Sequence, residues 1–469
     1  GILLAALSPE EVLAFLDACP RDTLQAHPLT LLVLMRRMFT WQQIPKMLEL
    51  RALLLAGIEA HPELPDTERD NLLGECDLIM SFLMYNDISA MSRLHRSASA
   101  QMSRPAISIQ KSGGWTFGSP SVLMMFYRAS GELQSELTEM DECMPHYYKI
   151  TNGHGQGAET IMRAEADFMR ACFADAQIML ERAYAQIDGN GQENMALCCD
   201  FLAWRLSLCT SFTPRESFEQ RREALLGLHN VAWLNILQSS CAYYYALLGL
   251  PEKIPAVFRE HQLASIHFLA PGKPMMELIE NQVYLAQGEY AKVIGRSEAL
   301  LGMCEAMHYA LVALHIRLQT AAAYEMLGKR ETADELLISA LAAAEPDALY
   351  LPFVENYRYL KTALTRGVGA KFAAFVRTVT PLGEDFVRRC GEKRAEGSRP
   401  AALAGLTERE SAIAALVAKR LSNREIAEQL FLSEGSVKQY INQIYSKLQI
   451  PGDVRVKRKY LLEMMEGKS

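Results

Sequence analysis

The chain has 469 residues, half of them apolar, with a formal charge of −7 and a mean hydropathy of −0.01. That is roughly three times an ordinary domain, so more than one domain is expected, each with ample core. No apolar run approaches the ~20 residues that cross a bilayer, and no cleavable leader pattern opens the chain. The ten cysteines are scattered, Cys198 and Cys199 being the nearest pair, and no C-x-x-C occurs. This is the usage of a reducing compartment, so a cytoplasmic protein without a membrane partner is expected.

From Ser8 to Arg389 the chain reads as helix. Ala, Leu, Met, Glu and Arg dominate, and alternating β-branched runs are missing. An aromatic residue four positions before a Gly or another turn residue recurs as Phe82/Asn86, Tyr127/Gly131, Tyr245/Gly249, Tyr284/Gly288 and Tyr324/Gly328. The spacings suggest a period of about 40, with a degenerate copy at Ala171-Ala176-Leu180-Ala183. The clearest copy is Tyr324-Gly328-Ala333-Leu337-Ala340, and Gly249-Ile254-Phe258 follows the same offsets. Aromatic, turn glycine, small residue and then large and small is the tetratricopeptide order. Such helix pairs cannot bury their faces alone, so residues 1–387 are expected to stack as an all-α, tetratricopeptide-like superhelix with a concave inner surface. The recurrent tyrosines are expected to pack between helices rather than to bind.

Two stretches interrupt the helical pattern: RPAISIQKSGGWTFGSP at 104–120 and TNGHGQG at 151–157. Two readings stand. One is a pair of long inter-repeat loops with glycines at positive φ. The other is an effector pocket lined by Trp115, Phe117, Tyr147, Tyr148 and His154, with a Gly-rich turn before a helix start. The histidines show no ligand spacing, and no nucleophile motif is visible, so neither a metal site nor an enzyme is expected, and no cofactor is assigned to this chain.

Residues 388–404 are charged and carry Gly, Ser and Pro, so a flexible tether is expected there. A compact unit over 405–469 follows. Its core is LTERESAIAALVAKRLSNREIAEQLFLSEGSVKQYINQIYSKLQI. Thr407 with Glu410 and Ser422 with Glu425 are capping boxes, and Ser433 caps a third start. Helices are therefore expected to begin near Glu408, Asn423 and Glu434, with Phe431-Leu432 as a tight turn and Pro451-Gly452 as a stop. In the third helix Val437, Ile441, Ile444, Tyr445 and Leu448 form an apolar stripe, and Lys438, Gln439, Asn442 and Gln443 lie opposite. Gln and Asn can pair bidentately with adenine, and Lys with guanine or phosphate. A short helix, a tight turn and a helix with a polar outer face make a helix-turn-helix, with double-stranded DNA as the partner. From Ala401 onward 11 Lys and Arg face 8 Asp and Glu, a net +3 that leaves −10 for residues 1–400. A mildly basic head suits phosphate attraction.

The segment Leu406–Ile450 resembles the LuxR/FixJ-type helix-turn-helix of bacterial transcription regulators. The resemblance implies that Lys438, Gln439 and Asn442 face the major groove while Arg424, Ser436 and Lys447 lie near phosphates. Arg420 stands where the family usually has Gly, Gly435-Ser436 replaces a usual x-Thr, and Tyr440 replaces a usual His. A fourth helix, opened by Arg455-Val456-Lys457-Arg458-Lys459 and carrying Val456, Tyr460, Leu461 and Met464 as its apolar face, commonly dimerises in the family. A homodimer on DNA is the resulting expectation, set against a plain solvated helix for the basic run. LGKRETADELLISALAAAEPDALYLPFVE at 327–355 is similar to the end of the solenoid in large MalT-like LuxR regulators, where a STAND-class ATPase precedes a helical sensor. No G-x-x-x-x-G-K-[ST] motif occurs in this chain, which is expected either to lack a front domain through truncation or never to have had one. The resemblance implies a transcription activator, with RNA polymerase a candidate partner. The helical part is then either a small-effector sensor or a protein-interaction scaffold.

Overall fold

The computed structural model describes residues 8–266, 269–367, 370–397 and 406–465. Among them there are helices and no strands. The chain divides into two compact units, Gly1–Arg389 and Cys390–Ser469.

The first unit is built of antiparallel helix pairs, such as Asp66–Ser81 with Ile88–Gln101, Ala158–Met169 with Phe173–Ile187, and Ala310–Met326 with Arg330–Ala344. The aromatic-to-glycine spacing has a local cause. Tyr245, Tyr284 and Tyr324 sit four residues before Gly249, Gly288 and Gly328, whose φ values are 72°, 79° and 74°. The Tyr carbonyl accepts the N–H of the residue after each glycine, at 3.0, 2.9 and 3.0 Å. This is the Schellman closure of a helix end, which needs a residue at positive φ. The degenerate copy obeys it with Ala171 at φ 59°. Its Ala176, Leu180 and Ala183 are fully buried, as are Ala333, Leu337 and Ala340. Two of the five pairs differ. Phe82–Met84 is a 3₁₀ turn, and Tyr127 ends a four-residue helix, Leu123–Phe126, so neither pair closes a long helix. After Gly249, Ile254 and Phe258 are buried as the offsets require, but the second helix has shrunk to Ala256–Arg259.

The pairs form two layers. Glu193–Cys209 buries every residue except Glu193 and Ala196, whereas only Val293, Leu300 and Cys304 of Tyr290–Ala306 are fully buried. A helix buried all round must be covered on its inner side too. Two irregular segments supply that cover. Leu123–Phe126 and Leu351–Glu355 both pack on Ala158–Met169 and Ala310–Met326. Backbone bonds stitch them in, Ala310 N–H to Tyr127 O at 3.1 Å and Tyr350 N–H to Met169 O at 2.8 Å. Asp347 accepts from the Tyr127 hydroxyl and from the Gly131 N–H, both at 2.6 Å. The inner face of the repeats is therefore packed with the chain's own segments around these helices.

The helix Ala373–Gly397 runs through 388–397, the first ten residues of the expected tether, which are thus helical. Charged residues at helical spacing explain this, with Asp385 paired to Arg388 and Arg389. Residues 398–404 of the tether lie outside the described residues.

Among the buried titratable groups of the first unit, six carry large shifts that bear on its acid response. Burial lowers His95 to about 3, His154 to about 4 and His315 to about 3, with help from nearby cations in the last two. The unfolded chain binds protons there from pH 6.5 downward, so these groups remove stability as pH falls. Burial raises Glu136, Glu165 and Glu280 to about 7, so these carboxyls destabilise the fold as pH rises from about 4.5 through 7. The two sets oppose each other between pH 4.5 and 6.5. Urea midpoints are expected to be nearly flat in that window and to drop below it, where only the histidine contribution remains. A steady decline beginning at pH 6.5 would contradict this balance.

Candidate nucleic-acid interface

The second unit has its own core of Leu406, Ile413, Ala414, Val417, Ile426, Ala427, Val437, Ile441, Ile444, Tyr445, Ile450 and Leu461. Its helices are Glu408–Ala418, Asn423–Leu430, Glu434–Lys447 and Val454–Met465. Both expected capping boxes are present, Thr407 with Glu410 and Ser422 with Glu425. Ser433 caps the third helix, accepting the Ser436 N–H at 3.1 Å. Phe431 takes a left-handed conformation, φ 53°, and makes the turn between the second and third helices. Phe431 is 94% exposed, while Leu432 beside it packs against the core.

The third helix has two faces. Val437, Ile441, Ile444 and Tyr445 are buried, and Leu448 is half-buried. Lys438, Gln439, Asn442 and Gln443 are exposed. Lys438 and Asn442 are one turn apart, and Gln439 flanks them. None of these three side chains has a partner among the described residues. Three groups with donors and acceptors held on one rigid face, and unengaged, can be offered to base edges.

The flanking residues divide. Arg424 is 76% exposed and pairs with Glu428 at 3.2 Å, a surface contact weak enough for a phosphate to replace. Ser436 is half-buried, its hydroxyl 2.8 Å from that of Ser433 at the helix start. Lys447, expected near phosphates, is held by Glu410 at 2.7 Å. Glu410 is buried, closes the first capping box, and is kept below the usual carboxylate range by the Lys447 hydrogen bond and the Thr407 N–H. Lys447 thus ties the end of the third helix to the start of the first. Such a pairing across 37 positions leaves no local mark in the sequence.

In the fourth helix Leu461 joins the core, while Val456 and Tyr460, one turn apart, are 41% and 46% exposed. The Met464 and Arg455 side chains lie outside the described residues. The basic run does more than face solvent: the Arg458 guanidinium donates to the Leu421 carbonyl, and Lys457 lies 5.9 Å from the Tyr445 ring centre. Arg420 adopts φ 64° at the end of the first helix. A β-carbon is disfavoured there by about 1 kcal/mol, so Arg420→Gly is expected to raise the unfolding midpoint of the head. A lower midpoint would show that the Arg side chain more than offsets the strain.

The aromatic residues of the first unit that were read as a pocket form a filled block. Trp115, Tyr147 and His154 are buried, at 9%, 3% and 3% exposure. The Tyr147 hydroxyl and His154 Nδ1 share a bond of 2.7 Å, and His154 Nε2 reaches the Gly113 carbonyl at 3.2 Å. The Tyr148 hydroxyl donates to Glu159. A β-carbon on Gly155 would lie 2.3 Å from the Trp115 ring, so the glycine marks close packing. Phe117 points elsewhere, onto Phe39 at 5.9 Å. A surface cavity of about 280 Å³, bounded by Asp141, Glu159, Arg163, Arg182 and others, includes none of the five.

Residues 404–459 match the profile of the bacterial regulatory proteins, luxR family. A stretch of 63 residues is 41% identical to the transcriptional regulatory protein LnrK of Bacillus subtilis (strain 168). That stretch is 13% of this chain and spans 29% of the length of that relative. The caps, the turn and the two-faced third helix agree with the match, and residues 404–459 form a LuxR-family helix-turn-helix domain.

Proposed function

We propose that the chain is a sequence-specific DNA-binding transcription regulator whose helical-repeat unit senses a small effector and controls the head. The observation that carries the DNA reading is the unengaged trio Lys438, Gln439 and Asn442 on one face of Glu434–Lys447. In this reading the third helix lies in the major groove. Arg424 and Ser436 touch phosphates, and Lys447 positions the helix through Glu410. The relative's description as a transcriptional regulatory protein supports regulation of transcription, and the MalT-like resemblance of 327–355 favours activation in a cytoplasm. Exposed Val456 and Tyr460 fit a homodimer on two half-sites. The packed inner face of the repeats tells against a scaffold that holds a partner protein in an open groove.

Selection from random duplex DNA with the full chain tests this function. Enrichment of one motif, repeated at a fixed spacing, is the expected outcome. Recovery of unrelated sequences after repeated rounds would reject specific readout.

A further inference from the structure

Three consecutive helices of the first unit, Leu133–Thr151, Ala158–Met169 and Phe173–Ile187, enclose the surface cavity of about 280 Å³ noted above. That is just below the ~300–1,000 Å³ of sites for drug-sized ligands, so there is room for a small metabolite. Its charged side chains fall into two groups. Arg163 and Asp141 are engaged with each other, Nε to Oδ2 at 2.9 Å. Glu159 and Arg182 line the same space, yet no ion pair joins them.

Glu159 is half-buried, and among the described residues its carboxylate accepts only from the Tyr148 hydroxyl, which holds it in place. Arg182 is exposed and has no partner among the described residues. Gln186 lies one turn further on the same helix face and also lines the cavity, with its Nε2 equally without a partner. Thr160 is 3% exposed and lines the cavity, and its hydroxyl bonds to nothing among the described residues. Hydroxyls on buried residues are nearly always satisfied. One left bare beside open room is placed for whatever occupies that room. Met179 and Pro145 complete the wall with apolar surface.

We infer that this cavity binds a free α-amino acid, its carboxylate on Arg182 and the Gln186 amide and its ammonium on Glu159 and the Thr160 hydroxyl. The inference rests on the sensing role proposed above and gives that role a location and a ligand class. An anion and a cation that share a cavity without neutralising each other select a guest that carries both signs. A guest with a negative charge alone would face Glu159, and one with a positive charge alone would face Arg182. The hydrogen-bonding groups divide in the same way. Arg182 and Gln186 Nε2 offer N–H groups from one helix to the two oxygens of a carboxylate. Glu159 and Thr160, neighbours in the first turn of Ala158–Met169, accept from an ammonium. The side chain of the guest then lies on Met179 and Pro145.

The test is isothermal titration calorimetry on the full chain with each common L-amino acid at millimolar concentration. The strongest binder is then compared with its N-acetyl and methyl ester forms, which lack the ammonium and the carboxylate respectively. At least one amino acid is expected to bind, and each blocked form roughly 10-fold or more weaker. Arg182→Gln and Glu159→Gln are expected to weaken the amino acid by a similar factor. The ester should lose nothing further in Arg182→Gln, nor the N-acetyl form in Glu159→Gln, because the contact removed is one they never make. Absence of binding by every amino acid would overturn the site. So would blocked forms that bind as well as the free amino acid, or variants that bind it like wild type. Footprinting on the selected DNA separates the two readings. An amino acid that binds without altering protection would remove the sensing role and leave the site. Unaltered protection without any amino acid binding would remove the site and leave the DNA reading.

Discussion

Replacing Glu355 by alanine is expected to lower the stability of the helical-repeat unit by about 3–5 kcal/mol. Glu355 is 1% exposed, and its two oxygens serve Arg205 and, at 2.8 Å, the Tyr243 hydroxyl. Removing it leaves a guanidinium buried without its counter-charge. The residues come from segments 150 positions apart, so the pair also fastens the segment after the last repeat to the inner helix Glu193–Cys209. Replacing both partners with apolar residues of like size, Arg205→Met with Glu355→Leu, is expected to cost much less, because no charge is stranded. Urea denaturation followed by circular dichroism reads both. A Glu355→Ala variant within about 1 kcal/mol of wild type would show that water already reaches the pair.

The second large effect concerns DNA. Each bidentate base contact discriminates by about 1–3 kcal/mol, so Lys438→Ala with Asn442→Ala is expected to weaken specific binding by roughly 100-fold or more. Neither residue is in the core, so thermal unfolding of the head is expected to be unchanged. Arg424→Ala behaves differently in this account. It weakens binding to all sequences alike and lowers the salt slope by about 1, as loss of one phosphate contact does. Fluorescence anisotropy on matched and scrambled duplexes over a salt series distinguishes these outcomes. A double variant that loses affinity equally for both duplexes would place Lys438 and Asn442 on phosphates.

The head was legible because its signals are local. Caps lie three residues from their partners, and the apolar stripe repeats each turn, so helix starts at Glu408, Asn423 and Glu434 follow from short-range chemistry. The Lys447–Glu410 pair was not, since a lysine near a helix end looks the same whether it meets phosphate or a carboxylate 37 residues away. In the repeats, the aromatic-to-glycine spacing located three true helix ends, because a Schellman closure fixes that offset. The same offset at Tyr127 and Phe82 arises in irregular chain, where spacing alone carries no fold. Trp115 and His154, beside a Gly-rich turn, offered a pocket reading, but glycine beside a large ring also marks close packing, and Gly155 against Trp115 does so here. Least visible was the filled inner face. The Asp347 carboxylate that holds Tyr127 and Gly131 lies more than 200 positions from them, beyond the reach of any local pattern.

The central claim is that the exposed face of Glu434–Lys447 reads DNA sequence. Footprinting on the selected motif, with wild type and the Lys438→Ala/Asn442→Ala variant at equal folded concentration, tests it most directly. The account predicts a protected site for wild type and none for the variant. Equal protection by the two proteins would mean that another face of the head reads the bases.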